Sequence, residues 1–167
     1  GKVIWRADRR DCDRCGAPFT GDAESPRIPR SGDQVMDPIT AYQITSFLEG
    51  VVQRGTATQA SSIGKPLGGK TGTTNDYRSA WFMGFSPYLL TGCYIGFDQP
   101  KSMGKGETGG RASLPIWLSY RKAVEEDYPA EDFSRPPGVV MGTVDGVPMA
   151  FKEGTEKGSV ASIMDKE

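Results

Sequence analysis

Three short runs set close together limit this chain more than any other feature. They read "LGGKTGTT" (67–74), "AWFMGFS" (80–86) and "LLTGCYIGF" (89–97), separated only by "NDYRS" and "PY". A parallel crossover consumes a dozen or more residues, so gaps this short demand neighbouring antiparallel strands. Large side chains fall on both alternate sets of the second and third runs, which predicts cover on both faces of the sheet.

A helix is predicted on each side of these runs. Over 38–54, Ala41, Ile44, Leu48, Val51 and Val52 recur at helical spacing, widened by Tyr42 and Phe47. Asp37 before Pro38 is a helix start, and Gly55 after Arg54 reads as its C-cap. Residues 56–66 are small and polar, a loop. Over 114–125, with Pro115 in the first turn, the predicted buried stripe is Ile116, Tyr120, Ala123 and Val124, with Trp117 beside it. Helices against an antiparallel sheet make an α+β arrangement. The chain divides into three regions: 1–36, a strand at 2–6 and an irregular loop; 37–128, the helix–sheet–helix unit; and 129–167, an extended tail with a hairpin turn at Asp145-Gly146.

Composition removes several functions. The chain of 167 residues has 20 Lys and Arg against 21 Asp and Glu, with no basic cluster, so nothing points to nucleic acid. No run of 18 apolar residues offers a membrane span. Histidine is absent, which excludes Ser–His and Cys–His nucleophile pairs and the commonest metal ligand. Cys12 and Cys15 form a C-x-x-C, but Cys93 is the only further cysteine, too few ligands for a zinc site. Set among Asp11, Asp13, Arg14 and Gly16, the pair reads as a disulfide pinning a loop. No metal and no cofactor are expected.

The chemistry concentrates in "GKPLGGKTGTTND", 64–76, which fits two signatures. From Gly64 it has the spacing of a phosphate-binding P-loop ending in Lys70 and Thr71. That motif needs a buried strand before it and a helix after it. Here "TQASSI" precedes it, and Gly72, Thr73, Thr74 and Asn75 come next, poor helix formers all. From Lys70 it is K-T-G-T, the third motif of serine enzymes that react with penicillin. Lys70, Thr71 and Thr73 offer one cation and two hydroxyls to a carboxylate, and Gly72 leaves room for a close backbone. The Thr73 N–H is a candidate oxyanion donor.

With "AYQITSFLEGVVQRGTA", "GGKTGTTND", "AWFMGFSP", "GFD" and "ETGGRASLPIW" in that order over roughly 35–125, the chain resembles the transpeptidase domain of class A penicillin-binding proteins. The resemblance implies helices around a five-stranded antiparallel sheet, of which the three runs would be the last three strands. It implies a peptidoglycan DD-transpeptidase working through an acyl-serine, with Lys70, Thr71, Gly72 and Thr73 binding substrate. Its implied partners are stem peptides, β-lactams and the upstream remainder of the domain. Its implied place is the extracytoplasmic side of the cell envelope, anchored through an N-terminal segment. Family members usually carry Asp where this chain has Ser79.

Two further motifs of the family, S-x-x-K and S-x-N, are not credible here. Ser62–Lys65 runs into Pro66, Ser102–Lys105 lies in a glycine-rich turn, and the only asparagine, Asn75, comes two residues after Thr73. The expectation is therefore the C-terminal portion of a transpeptidase, without its nucleophile and inactive by itself. A non-catalytic scaffold of the same fold is the alternative, and a P-loop protein the more distant one.

Overall fold

The computed structural model describes residues 34–156; the strand expected at 2–6, most of the loop to 36, Cys12, Cys15 and the last eleven residues lie outside them. Helix α1 spans Pro38–Gln53, strands β1, β2 and β3 span Gly68–Thr73, Ser79–Phe85 and Leu90–Gly96, and helix α2 spans Leu114–Val124. Strands β4 (Val139–Val144) and β5 (Val147–Lys152) form a separate hairpin. The three-stranded sheet is antiparallel in the order β1-β2-β3, as the short gaps require.

One sheet face holds the core. Phe82 meets Trp117 of α2 edge to face at 4.8 Å, and Val52, Ala57, Ala60, Leu67 and Leu114 complete the cluster. Gly84 makes that contact possible, since a Cβ there would lie 2.4 Å from the Trp117 ring. The other face is bare among the described residues: Trp81 and Tyr94 pack together at 4.8 Å, yet stay 43% and 53% exposed beside Met83. Cover on both faces is thus not what the described residues show. Ile44 and Phe47, expected in the buried stripe of α1, are exposed as well.

The buried face of α2 is rotated from the expected one. Leu114, Trp117, Arg121 and the succeeding Glu125 are buried, while Ile116 and Tyr120 are over half exposed. Periodicity by apolar residues rejects Arg121 and Glu125, but the two pair with each other one helical turn apart. The Arg121 guanidinium also donates to Leu89 O at 2.7 Å and Ser86 Oγ at 2.9 Å, and Trp117 Nε1 donates to Thr91 O at 3.1 Å. A buried charge is tolerated only with such partners.

Residues 58–63, expected as loop, form a 3-10 helix whose Ala60, like Ala57 before it, is fully buried. Gly64 (φ 74°) closes this 3-10 helix in the left-handed conformation, while Gly55, at the end of α1, donates its N–H to Val51 O at 3.2 Å without a positive φ. Gly55 serves close approach instead, because a Cβ there would meet Val51 Cα at 2.8 Å. In the hairpin, Asp145 and Gly146 both take positive φ (49° and 79°), the two-residue turn whose twist suits antiparallel strands. The hairpin attaches to α1 through Gln43 Nε2, which donates to Ala150 O at 3.1 Å. Between them a cavity of about 450 Å³ is lined by Tyr42, Glu49, Asp132 and Arg135 among others. Burial, and then the Asp132 carboxylate, push the Glu49 carboxyl up.

Two stability outcomes are expected. Replacing Glu125 by Gln should cost about 3–5 kcal/mol in urea unfolding, by leaving Arg121 charged and unpaired, and Arg121→Met/Glu125→Leu should recover much of it. For Glu49, a native carboxyl raised above its unfolded value of about 4.3 binds more protons than the unfolded chain, so stability falls as pH rises through that window. Glu49→Gln should therefore raise Tm at pH 7 and leave it unchanged near pH 3, below both values, by thermal scans.

Candidate functional site

The K-T-G-T segment lies on β1, an edge strand of the sheet. Thr74 N–H donates to Ser79 O at 3.1 Å, and the register runs back from there through Thr73↔Ala80, Gly72↔Trp81 and Thr71↔Phe82. Antiparallel pairs alternate between bonded and non-bonded. The N–H and C=O of Lys70 and Gly72 therefore point into β2, and those of Thr71 and Thr73 point out along an edge that is free among the described residues. The edge carries what an extended ligand would need.

Side chains alternate too, by the two-residue period of a strand. Lys70 and Gly72 share the bare face with Met83 and Trp81; Thr71 and Thr73 share the other with Phe82 and Ala80. The cation and the two hydroxyls thus leave β1 on opposite faces. Lys70 bends back to the edge, where Nζ donates to Thr71 O at 2.7 Å. At Gly72, an added Cβ would lie 3.3 Å from Trp81 Cβ, a tight contact with the paired strand.

Each hydroxyl has a fixed neighbour. Thr71 Oγ1 lies 3.0 Å from Thr56 Oγ1, in the turn after α1. Thr73 Oγ1 accepts from Gly109 N–H at 3.0 Å. Gly109 opens a π-helical turn, Gly109–Ser113, that runs directly into α2. Sequence reasoning misses Thr56 and Gly109 as site residues; their only signal is a place inside "QRGTA" and "ETGGRAS".

Beyond Thr73 the chain turns sharply, with Asp76 and Tyr77 both left-handed (φ 59° and 53°). Positive φ in a bulky residue is strained and needs support from around it. Tyr77 O accepts from Met103 N–H at 2.9 Å, and Thr74 Oγ1 accepts from Ser79 N–H at 2.8 Å. An open cavity of about 590 Å³ lies here, lined by Thr73, Thr74, Asn75, Asp76 and Arg78.

The competing motifs find no support. Lys70 and Thr71 sit inside a strand, and that strand leads into a three-residue turn, Asn75–Tyr77, not the helix that a P-loop requires. Lys65 donates to the backbone carbonyls of Glu125 and, at 2.6 Å, of Tyr128. Its ammonium is thereby engaged in tying down the end of α2, not in activating Ser62. Ser102 Oγ accepts from Gly104 N–H at 3.2 Å within its own turn. No helix among the described residues is long and apolar enough to cross a membrane.

Comparison with known proteins decides the family to which this strand and its supports belong. The model of the penicillin binding protein transpeptidase domain matches residues 21–116. The chain belongs to this family. It is 40% identical over 147 residues to penicillin-binding protein 1A of Rickettsia conorii, covering 87% of this chain and 19% of that protein. The same protein of Aquifex aeolicus is 41% identical over 148 residues, 81% of this chain and 20% of its own. In structure, the chain resembles penicillin-binding protein 1A from Haemophilus influenzae, with a TM-score of 0.67 and 31% identity, over 75% of this chain and 22% of that one. The chain thus spans about a fifth of these transpeptidase relatives. Its α+β architecture is that of their transpeptidase domain.

If Lys65 is a structural tie in this transpeptidase segment, Lys65→Met should lower unfolding stability by about 1–3 kcal/mol through its two lost carbonyl bonds. Lys105→Met, in the other S-x-x-K string, should stay within about 0.5 kcal/mol of the parent in the same urea titration.

Proposed function

We propose that the chain supplies the substrate-binding strand of a peptidoglycan DD-transpeptidase, with the acyl-accepting serine on residues outside it. One observation carries this: the outward N–H and C=O groups of Thr71 and Thr73, on a free strand edge whose two hydroxyls each have a fixed neighbour. An extended peptide can add to such an edge as a further strand, the main chain supplying affinity.

A donor peptide ending in D-alanyl-D-alanine would lie along β1, with its terminal carboxylate on the Thr71 and Thr73 hydroxyls and the Lys70 ammonium at the edge. Hydrogen bonds to a charged group contribute roughly 1.5–3 kcal/mol each. The serine would attack the carbonyl between the two alanines, releasing the last one and leaving an acyl-enzyme. The outward Thr73 N–H is aimed to stabilise the oxyanion formed in that attack; losing such a donor costs about 10²–10³ in rate. An amine of a neighbouring stem peptide then takes the acyl group. Penicillin, carrying a strained amide and a carboxylate, would be bound by the same groups and hold the enzyme at the acyl stage.

The bare face fits this reading. Trp81, Met83 and Tyr94 share it with Lys70, and among the described residues β3 ends the sheet with an edge of its own. The remainder of the transpeptidase domain, carrying the serine, would cover that face and pair with that edge. An extracytoplasmic position at the cell envelope accords with the substrate.

The test is complementation. Mixed with the separately produced upstream part of a relative's transpeptidase domain, the chain should restore labelling of that part by a fluorescent penicillin. Thr73→Val, which removes one hydroxyl from the carboxylate and keeps the main-chain N–H, should slow the labelling at least about tenfold. Labelling of the chain by itself would overturn the placement of the nucleophile. Stable association without any labelling would favour a non-catalytic scaffold.

A further inference from the structure

We propose that Gly109 is a positioning residue for carboxylate recognition, acting through Thr73. The inference deepens the function proposed above and rests on it for the identity of the ligand.

A threonine hydroxyl has one proton and two lone pairs, and can serve a ligand either as donor or as acceptor. The Gly109 N–H, 3.0 Å from Thr73 Oγ1, occupies it as an acceptor. The branched Cβ of Thr73 keeps χ1 stiff, so this bond orients the whole hydroxyl. The proton is left for a ligand. An ionised carboxylate only accepts hydrogen bonds, so the proton aimed outward suits it, although one lone pair stays open to a donor. The benefit is mutual, because the first N–H groups of a helix have no partner within it. Gly109 is the first residue of the continuous helical segment that leads into α2, and Thr73 satisfies its N–H.

Glycine is required there by space rather than by backbone conformation. A Cβ on Gly109 would fall 2.2 Å from Trp81 O, 2.6 Å from Gly72 O and 3.0 Å from Gly72 N. All three are main-chain atoms of paired strands, which cannot swing aside as a side chain could. The neighbouring Gly110 is tight as well: a Cβ would lie 3.1 Å from Thr56 O and 3.8 Å from the Thr71 methyl group. The turn therefore backs both threonines of the edge. Its own position is set by α2, where Leu114 and Trp117 are buried in the core and Arg121 is buried with its partners.

The experiment uses the chain itself, followed by amide NMR during titration with acetyl-D-alanyl-D-alanine and with its C-terminal amide, which lacks the negative charge. The parent chain should prefer the acid. Gly109→Ala should lose about tenfold or more of its affinity for the acid and much less for the amide, whose uncharged carbonyl is the weaker acceptor. Thr73→Val should reproduce that loss and speed hydrogen exchange at the Gly109 amide at least about tenfold, while Thr73→Ser, which keeps the hydroxyl, should restore both. A merely structural role would weaken acid and amide alike, and that result overturns the proposal. Gly109→Ala keeping the full preference, or Gly109 exchange unmoved in Thr73→Val, overturns it too. If Gly109→Ala does not fold, the Thr73 pair decides. A parent chain that does not tell the acid from the amide refutes carboxylate recognition, and with it the ligand; the exchange comparison then still decides the Gly109–Thr73 contact.

Discussion

The ladder that pairs Thr71 with Phe82 and Thr73 with Ala80 decides where every chemical group of β1 goes. It turns the N–H and C=O of the two threonines out to the free edge, their hydroxyls toward Thr56 and Gly109, and Lys70 onto the face of Trp81 and Met83. A slip of one residue would exchange the faces and the edges together. Phe82 must be buried against Trp117, which fixes the face that β2 turns to the core, and the ladder carries that choice over to β1. Core packing and site chemistry are thus one constraint.

Support for that strand comes from a buried charge. Arg121 and Glu125 form an ion pair inside the protein, and the guanidinium also binds the Ser86–Leu89 turn between β2 and β3. Desolvating such a pair costs about as much as its attraction returns, so its contribution is better sought in geometry than in net stability. It fixes how α2 seats on the sheet. The seat of α2 in turn fixes the π turn at its head, and that turn meets β1 through Gly109. A charge in the last turns of α2 therefore bears on how the Thr73 hydroxyl is aimed.

Several elements are legible from residues alone, and several are not. The three runs and their short gaps make the antiparallel sheet unavoidable, and Asp-Gly marks the turn of the hairpin. Apolar periodicity misplaces the stripe of α2 because its buried positions include Arg121 and Glu125, which hydropathy sorts to the surface. The loop after α1 is partly helical because Ala57 and Ala60 are small enough to enter the core without advertising it. For the site, K-T-G-T is visible as a motif, but its division between two faces and an edge is not. Thr56 lies 15 residues before the threonine it meets and Gly109 lies 36 after its own, and no local pattern links them.

Spacing is enough for the two main helices and for strands too close to be parallel, and the family rests on the resemblance carried by an ordered series of motifs around Lys70. Those properties are local, and a linear chain displays them in full. Folding in three dimensions adds that the hydroxyls and the ammonium of one motif part company, and that one sheet face stays bare among the described residues. It also places a glycine from the head of another helix behind the threonine it aims. Each of these depends on which groups lie within a hydrogen bond's reach across the fold, and that distance is created by packing, not by sequence separation.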